Sequence, residues 1–203
     1  MPLSDRHNLV LSTRNPNKVL EIHAIMTDLP LNLVTLDDFP DAPEVIEDKN
    51  TLDENASKKA QELFTYTGIP TMADDTGLEV LALDGAPGVH SARYASENPT
   101  PADNRKHLLE QMTGMDDRRA QFRTVIAFTT ASGTYLFEGS CKGRILTEER
   151  GDGGFGYDSL FVPYGFEKSF AEMKADEKNA ISHRGRALTR FASYLNGLLV
   201  SNE

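Results

Sequence analysis

The sequence predicts a mixed α/β fold, in which a bent mixed β-sheet is flanked by helices. Three observations carry this prediction. Segments with apolar residues at helical spacing alternate with short apolar runs of strand length. Two of the helical segments begin with N-cap signals. In the middle of the chain, apolar and polar residues alternate in a long stretch that is typical of a β-hairpin.

The first third of the chain predicts two strands and two helices. Residues 9–11 form an apolar run that leads into a polar loop, and residues 19–29 then place their apolar side chains on one helical face. Residues 31–36 predict a second strand. Thr51 and Glu54 match a capping box, so we expect a helix from there to about residue 67, where glycine and proline follow.

The middle third predicts short strands and a hairpin. We expect two strands, at residues 71–74 and 78–83, with the polar residues between them at the turn. Thr100 and Pro101 match an N-cap followed by proline at the first helical position, which predicts a helix to about residue 112. In residues 122–129 the side chains alternate as in a β-strand, which predicts the first strand of a hairpin. We expect its second strand at residues 134–139.

The last third begins with a glycine-rich loop. This loop covers residues 151–156, and a short strand is expected at 160–162. An amphipathic helix from about residue 181 to 199 closes the chain.

Composition limits the function classes. The 203 residues are 39% hydrophobic and 26% charged, which is typical of one large globular domain or of two small lobes sharing a core. A net charge of −10 argues against binding nucleic acid through bulk positive charge, although a few local cations can still hold a nucleotide. We find no membrane span, no apolar signal core and only one cysteine, Cys141, so we expect a cytoplasmic protein.

The charge is distributed unevenly. Nine acidic residues and one basic residue lie between Asp28 and Glu54, whereas six basic and three acidic residues lie between Lys168 and Arg190. Solvated faces explain such runs in most proteins. The alternative is an acidic, metal-binding side and a basic, phosphate-binding side of one cleft.

A first candidate motif is the polar loop after the first strand. It combines hydroxyl, amide and cationic side chains at the start of a helix, where backbone N–H groups attract anions. The alternative is a simple helix N-cap. The loop residues are Thr13, Arg14, Asn15, Pro16, Asn17 and Lys18.

A second motif is Asp74-Asp75-Thr76-Gly77. Adjacent residues of a strand point to opposite faces, so one carboxylate can bind Mg²⁺ while the other secures the turn. An Asx-turn between two strands is the alternative.

Two further motifs lie in the last third. Phe155, Gly156, Tyr157 and Asp158 end the glycine-rich loop, where an aromatic ring and a carboxylate can contact a flat ligand. The alternative is a flexible loop with a core phenylalanine. Lys178, His183 and Arg184 lie near the start of the last helix, where cations are electrostatically unfavourable unless an electron-rich partner is present. The alternative is a basic helix start.

Taken together and in this order, six stretches resemble the inosine-triphosphate pyrophosphatase family. They cover nearly the whole chain, and their combination is far more specific than any one of them. The stretches are Thr13-x-Asn15-x-x-Lys18, Glu54-Asn55-Ala56-x-x-Lys59-Ala60, Ala73-Asp74-Asp75-Thr76-Gly77-Leu78, Gly85-Ala86-Pro87-Gly88-x-x-Ser91-Ala92-Arg93-Tyr94, Gly153-Gly154-Phe155-Gly156-Tyr157-Asp158 and Ser182-His183-Arg184-Gly185.

The resemblance implies an activity. The family splits nucleoside triphosphates between the α and β phosphates, giving the monophosphate and pyrophosphate, and it prefers the 6-oxo purines ITP, dITP and XTP. The resemblance further implies removal of deaminated purines from the nucleotide pool, Mg²⁺ as cofactor and a homodimer. It implies a single domain over residues 1–203, in which an elongated, bent mixed β-sheet flanked by helices forms two lobes with a substrate cleft between them.

The resemblance also implies a role for each matching residue. Asp75 corresponds to the proton acceptor and a Mg²⁺ ligand, and Glu47 to a second acid of the metal site. The loop from Thr13 to Lys18 and the Lys59 side chain correspond to the triphosphate-binding residues. Thr76 contacts substrate. The base pocket corresponds to Phe155, Gly156, Tyr157, Asp158, Lys178, His183 and Arg184.

One position departs from the family pattern. Ser159 follows Tyr157-Asp158 where the family commonly has proline, so we expect a loop with less backbone restraint. Two other functions stay open at this point: a pyrophosphatase for modified pyrimidine or methylated nucleotides, and a non-catalytic nucleotide sensor or RNA-binding module. The paired acids disfavour the second, because carboxylates repel a polyanion unless a cation intervenes.

Overall fold

The structure, a computed structural model, describes residues 7–200 and has a mixed α/β fold. The helices of this part of the chain are α1 (Pro16–Met26), α2 (Leu52–Thr67), α3 (Pro101–Gln111), α4 (Ala175–Ile181) and α5 (His183–Val200). The strands are β1 (His7–Leu11), β2 (Leu31–Val34), β3 (Thr71–Val80), β4 (Pro87–Gly88), β5 (Arg119–Thr130), β6 (Gly133–Ile145) and β7 (Phe161–Pro163).

Within residues 7–200 the strands form one seven-stranded mixed sheet. Its order is β2-β1-β3-β5-β6-β7, and β4 pairs with β3 outside this path. Strand β1 runs parallel to β2 and β3, whereas β4 and β7 pair antiparallel with β3 and β6. Parallel neighbours need crossover connections, and α1 and α2 lie in the connections that follow β1 and β2. The predicted mixed α/β fold is confirmed.

The chain divides into two compact units. The first unit contains the chain up to Asp75, residues 125–138 and the chain from Ala187 onward. Its core joins residues of β1, α1, β5 and α5, including Leu9, Ile22, Phe128 and Phe191. The aromatic rings of Phe128 and Phe191 contact each other, with their centroids 5.2 Å apart.

The second unit contains residues 76–124 and 139–186. Its core is rich in aromatic side chains. The ring of Phe122 packs against Phe161 at 4.8 Å and against Phe170 at 6.0 Å, and Leu108 of α3 belongs to the same cluster. Burying large rings in this way supplies much of the apolar stabilisation of a small unit.

Helix α2 begins and ends as its sequence predicts. The Thr51 hydroxyl accepts a hydrogen bond from the Glu54 backbone N–H at 3.2 Å and donates to the Glu54 carboxylate at 2.9 Å. Gly68 ends the helix in the left-handed conformation, with φ of 68°. One face of the helix is buried, and on that face lies Lys59, a charged residue among apolar ones.

The prediction of two short strands around Asp74 and Asp75 was wrong. Strand β3 continues without a turn through both residues to Val80. The glycine in this segment has a different function, because a Cβ at Gly77 would lie 2.7 Å from the Gly88 carbonyl oxygen. Gly77 therefore permits the close approach of β4, and no turn is required.

Other element bounds also differ from the predictions. Strand β6 extends to Ile145, well past the expected residue 139. The last helix begins at His183, because Ser182 has extended backbone with ψ of 160°. This residue separates the last helix from α4, a short helix that was not predicted. None of the helices in residues 7–200 has the length and apolar character needed to cross a bilayer.

Gly143 tests the packing of the second unit. It pairs with Pro163 of β7, and a Cβ there would lie 2.7 Å from the Phe161 ring and 2.9 Å from the Pro163 Cα. We expect Gly143→Ala to lower the free energy of unfolding by about 1–3 kcal/mol, the usual range for overpacking, as measured by urea denaturation.

Gly197 of α5 is the matched control for this substitution. A Cβ at this position would meet no atom within 4 Å outside the backbone of its own helix. Gly197→Ala should keep or slightly raise the free energy of unfolding, because alanine favours helix. A Gly143→Ala variant as stable as the unmodified protein would contradict the tight β6–β7 packing.

Candidate active site

A buried lysine lies at the centre of a polar cluster in the first unit. The Lys59 Nζ atom donates to Glu47 Oε1 at 2.6 Å and to the Asp74 carbonyl oxygen at 2.6 Å, and it lies 3.3 Å from Asp75 Oδ1. Burial alone lowers the pKa of Lys59, but the charges of Asp75, Glu47 and Asp74 outweigh burial and raise the pKa above its usual value. Lys59 therefore stays protonated at neutral pH and holds two carboxylates close together.

The two carboxylate oxygens of Asp75 differ in their contacts. Its Oδ1 atom faces Lys59, whereas Oδ2 is buried and has no hydrogen-bond partner among the residues that the structure describes. Burial raises the pKa of Asp75; Lys59 and Lys18 oppose the increase, and Glu47 adds to it. A buried acceptor without a donor is rare in folded proteins, so Oδ2 marks a position for water, a cation or a ligand.

Asp74 forms a separate ion pair. Its Oδ1 atom lies 3.0 Å from Lys18 Nζ, and the Asp74 side chain is almost completely buried. Neighbouring residues of a strand point to opposite faces, so Asp74 and Asp75 present their carboxylates in different directions. The two adjacent acids thus contact two different lysines.

The loop before α1 is held largely by its own hydrogen bonds. Asn15 is the N-cap, and its side chain accepts from the N–H groups of Asn17 at 3.0 Å and Lys18 at 3.4 Å. The Thr13 hydroxyl accepts from the Asn15 N–H at 3.2 Å, and Arg14 donates to the Ala42 carbonyl at 3.2 Å. Pro16 occupies the first turn of the helix, so the N-cap interpretation describes this loop well.

Helix α2 also fixes the segment that carries Glu47. Lys58 Nζ donates to the Ile46 carbonyl at 2.8 Å and to Asp48 at 2.9 Å. The buried Asn55 side chain accepts from the Lys49 N–H at 2.9 Å and donates to the Lys49 carbonyl at 3.4 Å. Sequence reasoning assigned no role to Lys58 or Asn55; the available signal was a polar asparagine one turn before Lys59 on an apolar helix face.

The donor set fits a hard divalent cation that also binds substrate. Within residues 7–200, no group of three or more His, Cys, Asp or Glu side chains is arranged to hold a metal alone. Mg²⁺ needs only one or two carboxylates when phosphate oxygens supply further ligands. The carboxylates of Glu47 and Asp75 meet that requirement.

A second cluster, in the second unit, surrounds the ring of Phe155. Lys178 Nζ donates to Asp158 Oδ2 at 2.7 Å, and both side chains are about 95% buried. The same oxygen accepts from the Phe155 N–H at 2.8 Å. Lys178 Nζ lies 4.8 Å from the centre of the Phe155 ring, which is cation–π distance.

Arg184 brings a second buried cation to this ring. Its Cζ atom lies 5.4 Å from the Phe155 ring centre, and its Nη2 atom donates to the Thr76 hydroxyl at 3.1 Å. Thr76 in turn hydrogen bonds to Thr124 at 2.6 Å. Thr124 was not predicted as a site residue; the signal was a hydroxyl in the otherwise apolar inward pattern of β5.

His183 and the loop glycines complete the second cluster. The His183 ring is buried and stacks on Phe122 at 4.5 Å with an interplanar angle of 15°. Gly154 has φ of 67°, and a Cβ there would lie 2.9 Å from the Asp158 carboxyl carbon, so only glycine lets the loop close on Asp158. Tyr157 points its hydroxyl elsewhere, donating to the Ser91 carbonyl at 2.8 Å.

The structure therefore groups the predicted residues in two clusters. The first unit brings together Lys18, Glu47, Lys59 and Asp75 with their neighbours. The second unit brings together Thr76, Phe155, Asp158, Lys178 and Arg184, with His183 beside them. Along the chain, the first cluster ends at Asp75 and the second begins at Thr76.

The described residues combine an α/β fold with a lysine-linked carboxylate cluster in the first unit and a buried aromatic–cation cluster in the second. The chain belongs to the Ham1 family, whose model matches residues 9–194. It is 51% identical over 181 residues to the dITP/XTP pyrophosphatase of Desulfotalea psychrophila, covering 89% of this chain and 81% of that one.

Two further relatives cover nearly the whole chain. The dITP/XTP pyrophosphatase of Geobacter sulfurreducens is 48% identical over 190 residues, which is 92% of this chain and 96% of that one. The solved structure of a HAM1 protein from Coxiella burnetii superimposes with a TM-score of 0.87 at 37% identity, covering 94% of this chain and 99% of that one. The Coxiella burnetii protein therefore shares the fold described above.

Asn55 tests whether α2 fixes the Glu47 segment. We expect Asn55→Ala to lower the free energy of unfolding by about 1–3 kcal/mol, because the Lys49 backbone groups lose a buried partner. Thermal or urea denaturation measures the effect. Ser57→Ala serves as control, since the Ser57 hydroxyl donates only within its own helix, to the Asp53 carbonyl. Equal stability of the two variants would show that Asn55 does not anchor the segment.

Proposed function

We propose that this protein hydrolyses the non-canonical purine triphosphates dITP, XTP and ITP to the nucleoside monophosphate and pyrophosphate. The observation that carries the proposal is the open, buried Oδ2 atom of Asp75 beside the Lys59–Glu47 pair. The curated relatives named dITP/XTP pyrophosphatase support the same reaction and substrate class.

Asp75 is the residue we assign to proton transfer. Its Oδ2 atom is buried and has no hydrogen-bond partner among the described residues, and Lys59 fixes its orientation through Oδ1. We propose that Oδ2 positions and deprotonates the water that attacks the α-phosphorus.

Glu47 and Asp75 are the residues that would hold Mg²⁺ together with phosphate oxygens. When bound there, the ion would screen the triphosphate charge and polarise the phosphoryl group. Lys59 keeps the two carboxylates close together despite their like charge, and Lys18 supplies a cation near Asp74 for the leaving pyrophosphate.

The second cluster provides recognition of the base. We propose that the Phe155 ring stacks on the purine and that Lys178, His183 or Arg184 donates to the 6-oxo group. An adenine presents an amino group at this position, so these donors would lose their acceptor. Each buried donor left unpaired costs about 1–3 kcal/mol, and several together give strong rejection of ATP.

The assembly and location are part of the same proposal. We propose a homodimer, as the family resemblance implies, and a cytoplasmic location, as expected from the sequence features; sedimentation of the purified protein tests the dimer.

A substrate panel tests the proposed function. With Mg²⁺ present, we expect dITP, XTP and ITP to be turned over at least about 100-fold more efficiently than ATP, the discrimination expected from two or more unpaired polar groups. Products should be separated so that pyrophosphate is distinguished from phosphate. Release of single phosphates, equal turnover of ATP, a preference for modified pyrimidines, or binding without hydrolysis would each contradict the proposal.

Asp75→Asn tests the proposed base. The variant keeps the side-chain shape but removes the proton acceptor, and we expect a loss in kcat of about 100-fold or more. Addition of EDTA to the unmodified protein should abolish turnover, and Mg²⁺ should restore it. Asp37→Asn, which makes the same change at an exposed residue, is the control. An active Asp75→Asn variant would remove Asp75 from this role.

A further inference from the structure

A hydrogen-bonded chain of side chains links the two ends of the glycine-rich loop in the second unit. The Glu149 Oε2 atom accepts from Arg105 Nε at 2.8 Å and from the Ser159 hydroxyl at 2.8 Å. Arg105 also donates, through Nη1, to the Gly156 carbonyl at 3.1 Å. One carboxylate oxygen thus connects a residue before the loop, a residue after it and helix α3.

The backbone at the loop ends is paired as well. The Arg150 N–H donates to the Ser159 carbonyl at 2.9 Å, and the Leu146 N–H donates to the Leu160 carbonyl at 2.8 Å. The loop between these pairs contains Phe155 and Gly156. These pairs fix the two ends of the loop. The position of its tip, Phe155–Gly156, is set by the contacts that the tip itself makes.

Hydrogen bonds reach this tip from different directions. Asp158 accepts from the Phe155 N–H, and Arg105 donates to the carbonyl of the next residue, Gly156. Gly156 has φ of 60°, a left-handed conformation that glycine adopts readily. Phe155 is the residue whose ring both Lys178 and Arg184 approach.

We infer that Arg105, Glu149 and Ser159 form a positioning network that sets the Phe155–Gly156 segment for recognition of the purine. The inference rests on the proposed function, because it assigns the purine to the Phe155 cluster. None of the three residues is expected to contact substrate; they act through the Gly156 carbonyl.

The network also explains how the chain accommodates Ser159. The family resemblance led us to expect proline at this position and, with serine there, a loop with less backbone restraint. The serine hydroxyl instead makes a hydrogen bond that a proline side chain cannot make. Burial raises the pKa of Glu149, but the hydrogen bonds from Arg105 and Ser159 outweigh burial and lower it, so Glu149 is charged at neutral pH.

The test compares Ser159→Ala and Glu149→Ala with the unmodified protein. We expect KM for dITP to rise about two- to fivefold with little change in kcat. The interaction free energy of an exposed ion pair corresponds to a change in affinity of at most about this size. The inhibition constant of inorganic tripolyphosphate, which has no base, should not change. Ser159→Thr keeps the hydroxyl and should restore the normal KM, which a simple packing role would not predict.

A control variant and a milder variant keep the test decisive. Asp117→Ala removes an exposed ion pair to Arg119 in the same unit and should leave KM for dITP unchanged. Glu149→Gln keeps the shape and one acceptor if Glu149→Ala does not fold, and it should show a smaller rise in KM. Thermal unfolding of each variant separates loss of stability from loss of positioning.

Three results would overturn the inference. They are an unchanged KM for dITP in the Ser159 and Glu149 variants, an equal rise in KM and in the tripolyphosphate inhibition constant, and a failure of Ser159→Thr to restore KM. Absence of dITP and XTP turnover in the unmodified protein would overturn the proposed function itself, and this inference with it. The two failures are therefore distinguishable.

Discussion

The buried ammonium group of Lys59 is the interaction on which the first unit's polar cluster depends. Glu47, the Asp74 carbonyl and Asp75 all approach this one group within 3.3 Å. Without the lysine, the buried Asp75 carboxylate and the partly exposed Glu47 carboxylate would lose the cation that both contact, which is unfavourable. The position of Lys59 on the buried face of α2, the continuity of β3 and the anchoring of the Glu47 segment by Asn55 and Lys58 all serve this arrangement.

The second unit also contains buried charges that neighbouring groups stabilise. The buried Lys178–Asp158 pair and the buried Arg184 place cations against the face of Phe155. Lys178 is held both by the Asp158 carboxylate and by the face of the Phe155 ring, which offsets part of the cost of burying its charge.

The sequence predicted the local features well and the long-range features poorly. The caps of α2 and α3 were readable because Thr51 and Thr100 bond to residues only three positions away. The course of β3 was not, because Asp74 and Asp75 are stabilised inside the strand by Lys18 and Lys59, which lie far away in the sequence. Gly77 suggested a turn, yet its purpose is the close approach of Gly88. The roles of Asn55 and Thr124 likewise depend on distant partners.

Hydrolysis of dITP in ¹⁸O-enriched water is the measurement that tests the account most directly. If water placed by Asp75 attacks the α-phosphorus, mass spectrometry will find one ¹⁸O atom in the monophosphate and none in the pyrophosphate. Label in the pyrophosphate, or in single phosphate ions, would show attack at another phosphorus and would contradict the proposed chemistry of the Lys59–Asp75 cluster.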